Sequence, residues 1–263
     1  MRFCGIDVSA KPANQQLVTL HERRGAHATE LVATFYEPGP VDAVARTIQG
    51  FGRGEAVVGI DAPSGHRLDL LHAGAPARER LRLPAGRYET MRVCDALLFR
   101  RGLPLYPVPR VGQPHQAWEE WIYVGFELFA ALAALGLHRP DSRGLEGRVK
   151  PGALSHGRLF ETYPDAIFCS LLGHRPSPKR TPWGLQERID VLKDRGVCDE
   201  DGGLWHRTLD ELDACAAAYT AYSLACGVGT WVGDATEGVI VLPSDGLLDR
   251  YVKLPPPSRV RLA

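Results

Sequence analysis

The sequence predicts an α/β fold in which a mixed β-sheet is flanked by helices. Short segments rich in Val, Thr and aromatic residues alternate along the chain with segments whose apolar residues recur at helical spacing. Residues 55–60 form a continuous apolar run, which is typical of a central parallel strand covered on both faces. The composition agrees, because 44% hydrophobic and 24% charged residues are usual for a folded globular protein.

The first 61 residues carry the most regular pattern of elements. The predicted elements are strands at residues 2–8, 15–21, 29–36 and 55–60 and a helix at residues 40–50. The last of these strands leads into Asp61, which precedes the helix-breaking Pro63. Strand, strand, strand, helix, strand is the order in the first half of a ribonuclease H-like sheet. We therefore expect the first and fourth strands to be parallel neighbours, with a late helix packed across them.

The rest of the chain adds an insertion, further helices and two strands. Residues 64–115 are rich in Arg, Gly and Pro, and we interpret them as an insertion over one face of a single domain that spans the whole chain. Thr208 and Glu211 form a capping-box pattern at the start of a long helix. Trp118 and Trp121 are interpreted as core residues of an earlier helix. The predicted elements are helices at residues 90–101, 117–136, 185–195 and 209–225, a helix from residue 164, and strands at residues 157–162 and 238–242.

Charge and cysteine usage limit the possible functions. The formal net charge is zero, so global charge gives no argument for nucleic-acid binding, although residues 67–110 hold nine Arg against four acidic residues. The six cysteines form no C-x-x-C motif, which argues against structural zinc and favours a reducing compartment. The most apolar stretch, residues 121–137, is interrupted by Glu127 and is short for a membrane span. We expect a cytoplasmic protein that does not associate with membranes.

Five acidic residues are candidates for one divalent-metal site. Asp7, Asp61 and Glu161 each mark the end of a predicted strand, and ligands of open parallel sheets lie beyond the carboxyl ends of the strands. Asp210 and Asp213 lie three residues apart on one face of a predicted helix. Close carboxylates repel each other unless a cation is present, and Mg²⁺ and Mn²⁺ prefer oxygen ligands. We therefore predict that all five converge as catalytic residues and as ligands of Mg²⁺ or Mn²⁺.

Each acidic residue also has a purely structural interpretation. Asp61 could cap a turn, Asp210 could be an ordinary acidic residue at a helix start, and Glu161 could pair with an Arg. Asp7 is harder to explain in this way, because an acidic side chain in a buried strand costs stability without a compensating role. The prediction of a metal site therefore depends on the combination of residues.

Several motifs resemble an uncharacterised family of predicted nucleases, domain-of-unknown-function family 429. They are GID (residues 5–7), IDAP (60–63), R-x-C-D (92–95), ETYP (161–164) and LDELDA (209–214). The resemblance spans nearly the whole chain and implies a ribonuclease H-like fold. By analogy of fold, the chain is also distantly similar to Holliday-junction resolvases. These enzymes place acidic residues on strand one, on strand four and, as D-x-x-D, on a late helix. The metal ligands that the resemblance implies are Asp7, Asp61 and the pair Asp210 and Asp213, with Glu161 as an additional member.

Basic residues near these motifs are candidates for substrate binding. Arg92, Arg100 and Arg101, together with Asp95, form either a phosphate clamp or an internal ion-pair network that fixes the insertion. Lys179 falls where the family tends to have a basic residue. We expect the insertion to cover the rim of the acidic crevice, with some of its arginines facing it.

The sequence thus predicts a metal-dependent phosphodiester hydrolase, a nuclease, with DNA or RNA as its partner. One alternative is an ATPase or phosphotransferase of the actin and sugar-kinase class, although Val8-Ser9-Ala10 after the first aspartate lacks the expected glycine. The other is a non-catalytic binding protein of the same fold. The oligomeric state stays open, a dimer being one alternative.

Overall fold

A mixed β-sheet lies at the centre of the computed structural model, which describes residues 1–24, 29–52, 54–139, 144–149, 158–201 and 203–254. Within these residues the strands are β1 (Arg2–Asp7), β2 (Gln16–Arg24), β3 (Thr29–Phe35), β4 (Ala56–Asp61), β5 (Glu146–Arg148), β6 (Arg158–Glu161), β7 (Val197–Asp199), β8 (Thr230–Asp234) and β9 (Gly238–Leu242). Their order across the sheet is β5-β8-β9-β6-β4-β1-β2-β3-β7.

The first and fourth strands are parallel neighbours, as the sequence predicted. Strand β1 is parallel to β4, with Gly5 opposite Gly59 and Asp7 opposite Asp61. Strand β4 is in turn parallel to β6, and β6 to β9. On the other side, β1 is antiparallel to β2, and β2 is antiparallel to β3. The carboxyl ends of β1, β4 and β6 therefore meet at the same edge of the sheet.

Helices cover both faces of this sheet. In the described part of the chain they are α1 (Val41–Gly50), α2 (Pro76–Arg80), α3 (Val93–Arg100), α4 (Glu120–Ala134), α5 (Pro164–Leu172), α6 (Pro182–Asp194) and α7 (Leu209–Ala225). Helices α1 and α4 share a core with Ile6 and Ile60, and helices α3, α5 and α7 share a second core with Phe3 and Val57 on the other face. The predicted α/β architecture, a mixed sheet flanked by helices, is confirmed.

Helix α7 begins where the sequence predicted. The Thr208 hydroxyl accepts a hydrogen bond from the backbone N–H of Glu211 at 3.2 Å, and the Glu211 carboxylate accepts one from the Thr208 N–H at 2.7 Å. This capping box satisfies two backbone donors that would otherwise lack partners. It also fixes the start of the helix, so that Asp213 falls on the side facing the sheet, where it is buried.

The approach of α7 to the sheet is unusually close because two glycines lie beneath it. A Cβ atom at Gly5 would stand 1.9 Å from the Ala214 carbonyl oxygen and 2.2 Å from the Ala218 nitrogen. A Cβ atom at Gly59 would stand 2.9 Å from the Ala217 carbonyl oxygen. The helix contributes alanines at these contacts, so backbone lies almost directly on backbone.

Short elements at the margins of the fold escaped prediction. Strands β5, β7 and β8 and helix α2 span three to five residues each, and they lack the continuous apolar run that reveals the equally short β9. Helix α4 begins later than predicted, because a 3₁₀ turn occupies Ala117–Glu119. The strand predicted at residues 157–162 is β6, and residue 157 lies outside the described residues.

The cysteines are all free thiols, and Cys4, Cys94, Cys169 and Cys215 are buried. Burial raises the pKa of Cys4 and of Cys215 to about 12. These buried thiols are therefore protonated and unreactive near neutral pH. In the described residues, no helix has both the length and the apolar character required to cross a membrane.

The helix–sheet contact leads to a first prediction. We expect Gly5→Ala to destabilise the protein by about 1–3 kcal/mol or more, because the new methyl group overlaps the backbone of α7. Chemical denaturation measures the loss. Gly50→Ala is the matched control, since a Cβ atom there meets nothing within 4 Å, and this variant should be as stable as the wild type or slightly more so. Equal stability of the two variants would show that α7 adjusts without cost.

Candidate functional site

Two carboxylates stand side by side at the ends of the central strands. Asp7 ends β1 and Asp61 ends β4, and the strand register places them opposite each other. Because side chains alternate between faces along a strand, both project from the face of Gly5 and Gly59, the face that carries α7. The two carboxyl groups lie within hydrogen-bonding reach of each other.

Helix α7 adds a third carboxylate, that of Asp213. This residue is 3% exposed, and its Oδ2 accepts a hydrogen bond from Lys179 Nζ at 3.0 Å. Its Oδ1 is buried and has no hydrogen-bond partner among the described residues. A buried carboxylate oxygen without a partner costs free energy. Asp213 therefore retains one acceptor that no described protein atom fills.

The three carboxylates have pKa values above the ordinary range of aspartate. Burial, followed by the charges of Asp213 and Asp210, raises the pKa of Asp7 to about 8. Burial and then the charges of Asp7 and Asp213 raise the pKa of Asp61 well above its usual range. Burial also raises the pKa of Asp213, and the Lys179 ammonium group opposes that shift. The cluster is therefore short of positive charge even with Lys179 in contact.

A crevice opens beyond the carboxyl ends of these strands, where open α/β sheets bind their ligands. Its cavity volume is about 890 Å³. The insertion forms part of its wall, as predicted, at Arg92 and at residues 104–106 and 108. The other residues on which its chemistry depends are the acidic residues Asp61, Asp165 and Asp213, the cations Lys179 and Arg180, and the aromatic residues Trp121 and Tyr163. The crevice thus combines acidic, basic and aromatic groups.

Glu161, the predicted ligand from β6, is engaged elsewhere. Arg92 donates to both of its oxygens, from Nη1 to Oε2 at 2.9 Å and from Nη2 to Oε1 at 2.6 Å. The backbone N–H of Ser64 also donates to Oε2, at 2.8 Å. The register pairs Glu161 with Ile60, one residue short of Asp61, so Glu161 is out of step with the aspartate pair. In this structure Glu161 is a partner of Arg92 and not a free metal ligand.

Arg92 belongs to an internal ion-pair network. It also donates to Asp95, from Nε to Oδ2 at 3.0 Å and from Nη2 to Oδ1 at 2.9 Å. Arg92 is 1% exposed. Burial by itself would lower its pKa, but the charges of Asp95 and Glu161 outweigh this and hold the pKa well above its usual range. Of the two alternatives for Arg92, the structure has the internal network, which fixes the start of α3 and occupies four of the five N–H donors of a buried guanidinium.

A second group of potential ligands lies within this network. Ligand atoms of Cys94, Asp95 and Glu161 come within 4.8 Å of one another. The Arg92 guanidinium already bonds both carboxylates, and burial raises the pKa of the Cys94 thiol well above its usual range. A divalent cation would have to displace a buried positive charge and bind a protonated thiol. We therefore assign this group a structural role.

Four predicted residues do not line the crevice, and the first of them is Asp7, whose carboxyl group lies beside that of Asp61. Asp210 is exposed and lines a separate groove with Gln16, although its charge still reaches Asp7. Arg101 forms an ion pair with Glu146 at 2.8 Å, and Arg100 is exposed and donates to the Leu81 carbonyl oxygen. Neither arginine lines the crevice. The residues that the structure brings together are Asp7, Asp61, Asp213 and Lys179.

The sequence interpretation missed two features of the site. Trp118 is 44% exposed and Trp121 lines the crevice, so the prediction that both are core residues is wrong for Trp118 and incomplete for Trp121. The aromatic wall also includes Tyr106, in a Pro-rich segment without a periodic pattern. A usable signal did exist for the aspartate pair, because Gly-Ile-Asp occurs twice, at residues 5–7 and 59–61.

The fold and site define an α/β protein with an acidic crevice at the edge of its sheet. Residues 5–237 match the model of a family described as a protein of unknown function (DUF429). The chain belongs to this family, because the match covers most of its length. No curated protein and no solved structure matches the chain significantly.

The raised pKa values predict how stability depends on pH in metal-free buffer. The pKa of Asp7 is about 8 in the folded protein and 3.8 in the reference state, so the folded state binds the proton more tightly. The stability that this group contributes is present below about pH 4 and is lost as the pH rises toward 8. We expect Asp7→Asn to make this decline shallower in denaturation curves recorded with a chelator. Asp190→Asn, on the exposed side of α6, is the control and should keep the wild-type slope.

The buried network predicts a large cost for removing its cation. Arg92→Met should destabilise the protein by about 3–5 kcal/mol, because Asp95 and Glu161 lose their partner while remaining buried. Arg100→Met removes an exposed arginine at the other end of α3 and should change stability by less than about 0.5 kcal/mol. Thermal unfolding compares the two variants. A mild effect of Arg92→Met would mean that water or protonation compensates the carboxylates.

Proposed function

We propose that this protein is a metal-dependent phosphodiester hydrolase, a nuclease, with a ribonuclease H-like fold. The observation that carries the proposal is the convergence of Asp7, Asp61 and Asp213, three carboxylates short of positive charge, at the carboxyl ends of the central strands. Grouping acidic side chains in this way is costly unless a cation or protonation relieves their repulsion. Strongly shifted pKa values also concentrate at functional sites.

The topology supports the ribonuclease H-like assignment. Strands β3-β2-β1-β4-β6 are consecutive in the sheet, and β2 is antiparallel to both of its neighbours. Holliday-junction resolvases, to which the sequence is distantly similar, carry acidic residues on strand one, strand four and a late helix. Asp7 on β1, Asp61 on β4 and Asp213 on α7 likewise lie on the first strand, the fourth strand and a late helix, which supports the proposal.

The donor set fits Mg²⁺ or Mn²⁺. The cluster offers carboxylate oxygens, which these hard cations prefer, and Asp213 Oδ1 is buried without a partner among the described atoms. Among the described residues, three ligand atoms within 4.8 Å of one another occur at Cys94, Asp95 and Glu161 but not at the aspartate cluster. Asp213 therefore has to turn toward the Asp7–Asp61 pair for all three residues to share one ion.

Different residues of the chain would bind the metal ion, bind the phosphate and position the insertion. Asp7, Asp61 and Asp213 would hold the ion, and the chemistry that it supplies is positive charge beside a phosphoryl oxygen. Lys179 has three N–H donors, of which Asp213 takes one, so its ammonium group can also bind a phosphate. The Tyr163 hydroxyl donates to the Pro104 carbonyl oxygen at 2.8 Å. This bond holds the insertion in place along the crevice.

Mn²⁺ binding and cleavage test the proposal together. We expect Mn²⁺ to raise the melting temperature of the wild type, with a stabilisation of about 2.7 kcal/mol at a hundredfold excess over Kd. Asp61→Asn should abolish that shift, because it removes a ligand charge. It should also reduce cleavage of DNA or RNA oligonucleotides by more than the roughly 10–100-fold that is typical of residues that only support a ligand.

Asp190→Asn provides the matched control and should retain both the Mn²⁺ shift and the cleavage. An equal Mn²⁺ shift in wild type and Asp61→Asn would rule out the proposed metal site. A normal shift with ATP turnover in place of cleavage would instead favour the phosphotransferase alternative.

A further inference from the structure

The crevice has an aromatic wall that the proposed metal chemistry does not use. Tyr106 from the insertion and Trp121 from α4 both line the cavity, and their rings meet edge to face with centroids 5.8 Å apart. Tyr106 is 67% exposed, and Trp121 is only partly buried against the core. Exposed aromatic rings of this kind are stacking surfaces for planar ligands.

Two cations border the same cavity. Lys179 contacts the acidic cluster through Asp213, and Arg180 follows it along the chain at the cavity wall. Both side chains are exposed. Cations beside aromatic rings match a ligand that carries both negative charge and a flat apolar group. A nucleotide has this chemistry, with its phosphate as the charged group and its base as the flat one.

The dimensions and charge of the molecule argue against a duplex as the occupant. The cavity of about 890 Å³ falls within the roughly 300–1,000 Å³ that is typical of small-ligand pockets. Duplex binding depends on many Lys and Arg contacts to phosphates, whereas the formal net charge here is zero. Arg92 and Arg101 of the insertion are also held in ion pairs.

We infer that the crevice binds one unstacked nucleotide, with its base against Tyr106 and Trp121 and its phosphodiester toward Lys179 and the aspartates. The placement of the phosphate rests on the proposed function, whereas the placement of the base rests on the aromatic wall alone. A free dinucleotide and the end of a single strand present the same chemistry. A blunt duplex does not, because its bases are paired and stacked.

Calorimetric titration with hydrolysis-resistant probes tests the inference. The probes are a thymidine dinucleotide, a thymidine octanucleotide and a blunt DNA duplex, all with phosphorothioate linkages. Each is titrated into the wild type in Mn²⁺ and in chelator. We expect the single-stranded probes to bind more tightly than the duplex. Equal affinity for the dinucleotide and the octanucleotide identifies a small nucleotide as the ligand, and tighter binding of the octanucleotide identifies a strand end.

Matched variants test the stacking. Tyr106→Leu should weaken binding of both single-stranded probes by about 5- to 150-fold, as expected for loss of one base–aromatic stack. Tyr106→Phe keeps the ring and should restore wild-type affinity. Trp183→Leu is the control, because Trp183 is 66% exposed on α6 and does not line the crevice.

Two results would overturn the inference. One is a duplex that binds as tightly as the octanucleotide, and the other is unchanged single-strand affinity in Tyr106→Leu. The Mn²⁺-induced thermal shift, measured without any nucleotide, separates this failure from failure of the proposed function. A shift that depends on Asp61 with no effect of Tyr106→Leu rejects the stacking and keeps the metal site. Binding that depends on Tyr106 without an Mn²⁺ shift keeps the stacking and rejects the metal site.

Discussion

The contact between α7 and the paired strands β1 and β4 is the constraint on which the rest of the site depends. Gly5 and Gly59 lie opposite each other in the register, and neither position has room for a Cβ atom beneath the helix backbone. The residues of α7 at this contact are alanines, whose small side chains let the helix backbone lie close to the strands. This closeness carries Asp213 to the strand ends, where Asp7 and Asp61 emerge two residues after the glycines. Larger residues at the glycine positions would push Asp213 away from the aspartate pair.

Two groups of acidic residues near the crevice differ in how completely their negative charge is compensated. Arg92 neutralises Glu161 and Asp95 with four hydrogen bonds at 2.6–3.0 Å, and the group is almost completely buried. Among the described residues, the cation in contact with the aspartate cluster is Lys179, through Asp213, and burial together with the neighbouring carboxylates raises the pKa values of Asp7 and Asp61. A satisfied network rigidifies a fold, whereas an unsatisfied one retains the capacity to bind a cation. The difference separates structural acidic residues from candidate ligands.

The sequence predicted the fold better than it predicted the membership of the site. The capping-box pattern at the start of α7 and the continuous apolar run of β4 are both visible in the sequence, so the positions of these elements were recovered to within a few residues. Glu161 also ends a strand, but its role depends on a register one residue out of step with Asp61 and on an arginine 69 residues away. Neither the strand register nor the distant arginine produces a pattern in the sequence around Glu161. Tyr106 belongs to the crevice through tertiary packing of an aperiodic segment, which residue spacing does not reveal.

Lys179 bears both on the stability of the protein without a divalent metal ion and on the proposed activity. Its single charge, on a flexible and partly exposed side chain, compensates Asp213 but leaves the Asp7–Asp61 pair to share a proton or to repel. A rigid buried arginine, such as Arg92, would compensate the cluster more completely and would also exclude a divalent ion. The lysine instead holds one oxygen of Asp213 and leaves the other without a partner among the described atoms. If the proposed function is correct, the Lys179 ammonium group lets the carboxylates stay grouped in the folded chain and leaves oxygens free for Mg²⁺ or Mn²⁺.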